Sequence, residues 1–150
     1  MKEQEINVFI ERILEYFHAY DTESSATIQA PFLIDGIDKH VLEYTGVIGI
    51  TGRNTGTVMF SAPASMLVML IARFGETGQK KPEMMLDLVG EIANTIAGNA
   101  REVFGSKFNL APPVALRAPL RGLVLAKGLQ SYCIPIEWRM RKAHLIVSLT

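Results

Sequence analysis

Apolar residues recur at three- and four-residue steps near the start of the chain, at Ile6, Phe9, Ile10, Ile13, Leu14 and Phe17. That spacing predicts a helix from about residue 3 to 19 with a single apolar stripe. After the polar loop Asp21-Thr22-Glu23-Ser24-Ser25 come three stretches rich in β-branched and aromatic residues, 26–34, 41–51 and 56–61, which predict strands. Asp35-Gly36 breaks the first pair and Gly52 to Gly56 the second. Both links are too short for a crossover helix, so an antiparallel meander is expected. Pro63 suits the first turn of a short helix that Met66 to Phe74 continues until Gly75 and Gly78 stop it. Pro82 opens a longer helix, about 83–104, ended by Gly105. Further strands are expected near 113–118, 121–127, 131–140 and 143–149, the first two blurred by Pro112, Pro113 and Pro119.

The order helix, strands, helix, helix, strands reads as an α/β (α+β) fold with three main helices and a largely antiparallel sheet. It also suggests an internal duplication of a helix-plus-strands unit. Ile28-Gln29-Ala30-Pro31 resembles Leu116-Arg117-Ala118-Pro119, each soon after a helix. Two edge-strand Ala-Pro pairs would give the same likeness, because proline is tolerated at sheet edges and strand starts. No second domain or low-complexity linker is visible, and 150 residues that are 49% hydrophobic and 20% charged suit a single domain, 1–150.

Charge removes several function classes. Fifteen Lys+Arg balance fifteen Asp+Glu, so no overall field draws the chain to polyanions. Nucleic-acid binding would need a local basic patch, and none is apparent. Cys133 is the only cysteine, which excludes an internal disulfide and a Cys-rich zinc site and fits a reducing compartment. The opening Met1-Lys2-Glu3-Gln4-Glu5 lacks the apolar core of a signal peptide, and the longest apolar run, Met66 to Ala72, is far short of the roughly 20 residues that span a bilayer. A soluble cytoplasmic protein without nucleic-acid or membrane partners is expected.

The chemistry concentrates on the long helix. At about 100° per residue, Met85, Leu86, Val89, Ile92, Ala93, Ile96, Ala97, Ala100, Val103 and Phe104 fall on one broad side, which should be core. Asp87, Glu91, Asn94, Gly98 and Arg101 fall opposite, at spacings of four, three, four and three. A polar stripe on an amphipathic helix is ordinarily its solvated face. Asn94 and Gly98, however, are poor helix formers, each worse than Ala by roughly 0.5 to 1 kcal/mol in mid-helix. Gly98 would let another protein's backbone approach closely. His18, His40 and His144 lie far apart without ligand spacing, and Ser61, Ser65 and Cys133 lack a nucleophile setting.

The run Asp87-Leu88-Val89-Gly90-Glu91-Ile92-Ala93-Asn94-Thr95-Ile96-Ala97-Gly98-Asn99-Ala100 resembles the signature helix of the CheX/CheC/FliY phosphatases: Asp or Ser, three residues, Glu, two residues, Asn. The likeness continues into Leu110-Ala111-Pro112-Pro113-Val114, similar to the family's proline-containing entry to its second set of strands, and into Gly-Val-Ile-Gly-Ile at 46–50. CheX is the nearest branch. In the CheC branch a second Glu/Asn pair can occur on the first helix, but here Glu11 is followed at three residues by Leu14 and Glu15 by His18, so one site is expected.

The resemblance implies a CheC-like fold and hydrolysis of the aspartyl phosphate of a phosphorylated CheY-like response-regulator receiver domain. Glu91 would ion-pair with the receiver's active-site lysine, and Asn94 would orient the attacking water, with Asp87, Gly98 and Arg101 at the docking surface. No cofactor of its own is implied, the Mg2+ being held by the receiver. It also implies a homodimer joined through sheet edges, which would cover exposed strands such as 143–149. A non-catalytic module of the same fold that binds a receiver or another signalling protein is the alternative.

Overall fold

In the computed structural model of the chain, residues 1–76, 78–120 and 129–150 are described. Helix α1 spans Glu3–Tyr20; strands β1 Thr27–Ile28, β2 Phe32–Ile34, β3 Tyr44–Gly52 and β4 Gly56–Ala62 follow. Helices α2 Ala64–Arg73 and α3 Pro82–Phe104 come next, then β5 Phe108–Leu110, β6 Val114–Arg117, β7 Ser131–Trp138 and β8 Arg141–Leu149. The strand expected at 121–127 lies outside the described residues.

The strands form one antiparallel sheet in the order β1-β7-β8-β4-β3-β5, with β2 also on the outer side of β7 and β6 also on the outer side of β3. Three strand expectations are corrected. The stretch 26–34 is two short strands interrupted at Ala30-Pro31, because proline cannot donate to a ladder. These strands do not pair with β3: Thr27 sits opposite Glu137 and Phe32 opposite Cys133, so the first strands cross to the far half of the sheet. Strand β8 is not exposed, since β4 and β7 flank it along its length.

The topology is that of two similar units. Each has a long helix, two short strands and a hairpin: α1, β1, β2, β3, β4 and α3, β5, β6, β7, β8. Each unit's short strands pair with the other unit's hairpin, β1 and β2 on β7, β5 and β6 on β3. In this arrangement Ala30-Pro31, just before β2, corresponds to Ala111-Pro112, just before β6. Ala118-Pro119 follows β6, so the match drawn from sequence is displaced by one strand.

One face of the sheet carries the helices and the main core, in which Phe9, Ile13, Phe17, Phe60, Leu67, Val89, Ile92, Ile96 and Trp138 are buried. Segment 35–43 lies on the other face, where Ile37 and Val41 pack with Val47, Met59, Cys133 and Ile146. It is fastened there by Leu42 N donating to Ser61 Oγ (2.6 Å) and by a contact of His144 Nδ1 with the His40 carbonyl (2.6 Å).

Two devices hold the long helices. Helix α3 lies directly on β3 because Gly46 has no side chain: a Cβ there would run into the Val89 carbonyl. Helix α1 is held off by aromatic rings, Phe17 meeting Trp138 at 5.5 Å and Phe9 meeting Phe104 at 5.7 Å. Its end is fixed by Asp21, a buried carboxylate. Trp138 Nε1 (2.9 Å) and Arg139 Nε (2.6 Å) donate to Oδ2; Arg73 Nη2 (3.0 Å), Arg139 Nη2 (3.1 Å) and the backbone N–H groups of Glu23 and Ser24 (3.1 Å each) donate to Oδ1. One carboxylate thus joins α1, α2 and the β7–β8 turn, and with every lone pair engaged its burial is compensated.

Candidate functional site

Helix α3 forms because Pro82 is pre-organised for a first turn and Gly105, at φ +100°, takes a conformation that side chains resist. Its inner face is buried at Met85, Leu88, Val89, Gly90, Ile92, Ala93, Ile96, Ala97 and Ala100. Val103, expected in the core, is instead 56% exposed. Phe104 takes the inward position of the last turn, stacking at 5.0 Å on Phe108 of β5.

The opposite face presents the stripe read from the sequence. Asp87, Glu91 and Asn94 are exposed on successive turns, Gly98 is half-buried, and Arg101 is exposed. A Cβ at Gly98 would meet nothing, so the helix surface below Asn94 is open. Arg101 Nε donates to the Phe108 carbonyl (2.7 Å), which ties the end of α3 to β5. Among the described residues Asp87 and Glu91 have no ion-pair partner, which leaves two carboxylates in water for an incoming cation.

Two concavities flank this stripe. One, about 340 Å3, lies toward the sheet edge, with Asp87, Gly90, Glu91 and Asn94 on one wall and Pro113 and Ala115 on the other. Gly90 leaves this cleft unfilled, since a Cβ there would sit in ordinary contact with Pro113 Cβ (3.7 Å) and Ala115 Cβ (3.9 Å). The second, about 240 Å3, lies toward α2 and shares Asp87 and Glu91. Glu91 therefore stands on the ridge between them. Helix α1 packs against α3, and burial, with Tyr20 and the Glu91 carboxylate adding, pushes the Tyr16 phenol above its usual range and keeps it neutral.

What can this arrangement do? An amide and a carboxylate stand exposed one turn apart on this face. The pair is suited to clamping a cation and orienting a water at a phosphoryl group brought by a partner. Among the described residues no group of three or more His, Cys, Asp or Glu side chains could hold a metal ion. No helix among them is long and apolar enough to cross a membrane.

Sequence reasoning found the stripe but not its supports. Gly46 read only as part of a strand, and Asp21 only as part of a polar loop. The role of Pro113 and Ala115 as the facing wall depends on β6 pairing with β3, where Gly46 sits opposite Ala115.

The chain matches the family described as "Chemotaxis phosphatase CheX" over residues 44–137, which includes the stripe from Asp87 to Arg101. No curated protein sequence matches it. Among solved structures it is similar to a CheC-like superfamily protein from Shewanella sp. PV-4, at TM-score 0.86 and 19% identity, covering 100% of this chain and 99% of that one. It is similar to the chemotaxis protein CheX from Desulfovibrio desulfuricans at TM-score 0.83 and 18% identity, covering 98% and 99%. A third likeness is to a CheX–CheY–BeF3–Mg2+ complex from Borrelia burgdorferi, at TM-score 0.78 and 15% identity, covering 96% of each chain. These likenesses are of fold.

Proposed function

The chain belongs to the chemotaxis phosphatase CheX family, and from that premise we propose that it hydrolyses the aspartyl phosphate of a CheY-like receiver domain through Glu91 and Asn94. The observation that carries this is the exposed ridge on α3: a carboxylate with no ion-pair partner among the described residues and, one turn on, an amide, with Pro113 and Ala115 forming the other wall of a shallow cleft. A deep pocket would suit a small molecule. A ridge between two shallow clefts suits insertion into the active site of another protein.

An acyl phosphate is intrinsically labile, so catalysis here is chiefly positioning. Glu91 pairs with the lysine beside the receiver's phosphoaspartate and fixes the depth of entry. Asn94 then accepts a hydrogen bond from a water with its carbonyl and donates toward the phosphoryl oxygens with its NH2. The water attacks phosphorus in line, the P–O bond to the aspartate breaks, and the carboxylate leaves with its electron pair. The Mg2+ is a component of the receiver. Asp87 and the open surface at Gly98 extend the docking face along the same helix, and Arg101 contributes at its far end. A homodimer formed through sheet edges would use the β1/β2 or β5/β6 sides, since β8 is paired on both sides. The cytoplasm, where receivers reside, is the compartment that fits.

The test is the decay of a phosphorylated receiver from the same organism, alone, with the chain and with Asn94→Ala. Acceleration that the substitution abolishes supports the reading. Binding without acceleration favours the non-catalytic receiver-binding module.

A further inference from the structure

The second concavity beside Glu91 has a composition of its own. Its floor is apolar, formed by Ile71 and Phe74 at the end of α2 and Met84 at the start of α3, while Glu76, Asp87 and Glu91 stand around it. Phe74 is 39% exposed, and its ring is fixed edge-on against Tyr20 at 4.6 Å. Phe74 and Tyr20, each 39% exposed, give this side of the groove a fixed aromatic surface that a partner's side chain can cover. Among the described residues none of the three carboxylates has an ion-pair partner. The nearby Lys80 ammonium is engaged by the Glu76 and Gly78 carbonyls (3.0 and 3.1 Å). An apolar floor with an acidic rim complements one kind of side chain: an aliphatic stem ending in a cation, the stem lying on Phe74 and Met84 and the charge reaching the rim.

We propose that this groove between α2 and α3 is a second docking pocket for the receiver, taking a lysine or arginine side chain from the surface around the receiver's phosphoaspartate and so selecting among receivers. The inference rests on the phosphatase reading, because Glu91 is common to the groove and to the catalytic ridge, and a receiver seated on one necessarily overlies the other. It assigns Glu76 and Phe74 to recognition, a role separate from chemistry: they set affinity, while Asn94 sets turnover.

The experiment is calorimetric titration of the full chain with the beryllofluoride-loaded, Mg2+-bound CheY-like receiver of the same organism, beside steady-state dephosphorylation. Glu76→Lys is compared with Glu102→Lys, the same charge change on an exposed position at the far end of α3. Glu76→Lys is expected to weaken binding and raise KM about tenfold with kcat within about twofold, and Glu102→Lys to change neither by more than about twofold. Phe74→Ala, which alters no charge, is expected to raise KM about fivefold with kcat unchanged. Equal weakening by both lysine variants would show only a long-range field and overturn the groove, as would unchanged binding for Glu76→Lys and Phe74→Ala. Binding by the wild type without faster phosphate loss would overturn the phosphatase reading separately, the groove still being judged from the titrations.

Discussion

Helices α1 and α3 occupy matching places in the two halves of the sheet, yet they are held by opposite means. Helix α3 rests on β3 through backbone contact at Gly46 and carries an exposed carboxylate and amide in its middle turns. Helix α1 stands off on aromatic rings and is fastened at its end by the Asp21 hub. On its outer face Glu11 and Arg12 pair with each other and Arg12 with Glu15 (2.9 Å), so the charges are spent locally. A helix seated on the sheet by direct backbone contact leaves its opposite face free for a partner, whereas one fastened at its end by a buried hub serves to close the core. The two units share a topology but not a surface: α3 leaves a carboxylate and an amide exposed, and α1 pairs its charges locally.

Replacing the hub should give the largest effect on stability. Asp21→Ala leaves the Arg139 guanidinium and the Trp138 N–H without their acceptor, and a fall in Tm on the order of 15 °C is expected by calorimetry, with kcat at low temperature within about twofold of wild type. The Arg139 guanidinium holds the Asp21 carboxyl well below the usual carboxylate range. A carboxyl whose folded-state pKa is depressed contributes stability above its unfolded value of about 3.9 and loses it as pH falls below that. The difference in stability between wild type and Asp21→Ala should therefore be full at pH 6 and shrink steadily toward pH 3 in urea titrations. A difference independent of pH would mean that the hub is held by packing alone.

Gly46→Ala comes next and joins stability to activity. The new methyl meets the Val89 carbonyl, which no rotamer change can relieve, so a loss of about 2 kcal/mol is expected. Because α3 must shift relative to Pro113, receiver dephosphorylation should also slow by about tenfold. Lost stability with unchanged turnover would sever the link between helix seating and catalysis. The smallest effect belongs to α1: Glu11→Ala should leave phosphate loss within about twofold of wild type. A large loss there would reveal a second site and remove the asymmetry.

The parts legible in the sequence are those written in local pattern. The 3.6-residue period of α3 separates Ile92 and Ile96 from Glu91 and Asn94, and Pro82 and Gly105 mark its ends. The pairing of Thr27 with Glu137 is written nowhere near either residue, and the short link at Asp35-Gly36 argued for a hairpin that does not form. Proline at 31 divides the first strand, and segment 35–43 covers the second face of the sheet instead of turning back. Gly46 and Asp21 escaped for a related reason. A strand glycine and a loop aspartate look ordinary until the element packed against each is known.

The ridge on α3 is tested most directly by measuring kcat and KM for receiver dephosphorylation with Asn94→Ala and Glu91→Ala side by side. If Asn94 orients the water and Glu91 clamps the partner, Asn94→Ala should lose at least about 100-fold in kcat with KM near wild type, and Glu91→Ala should lose in both. Wild-type kcat in Asn94→Ala, or a loss confined to KM in both variants, would contradict a catalytic role for this helix.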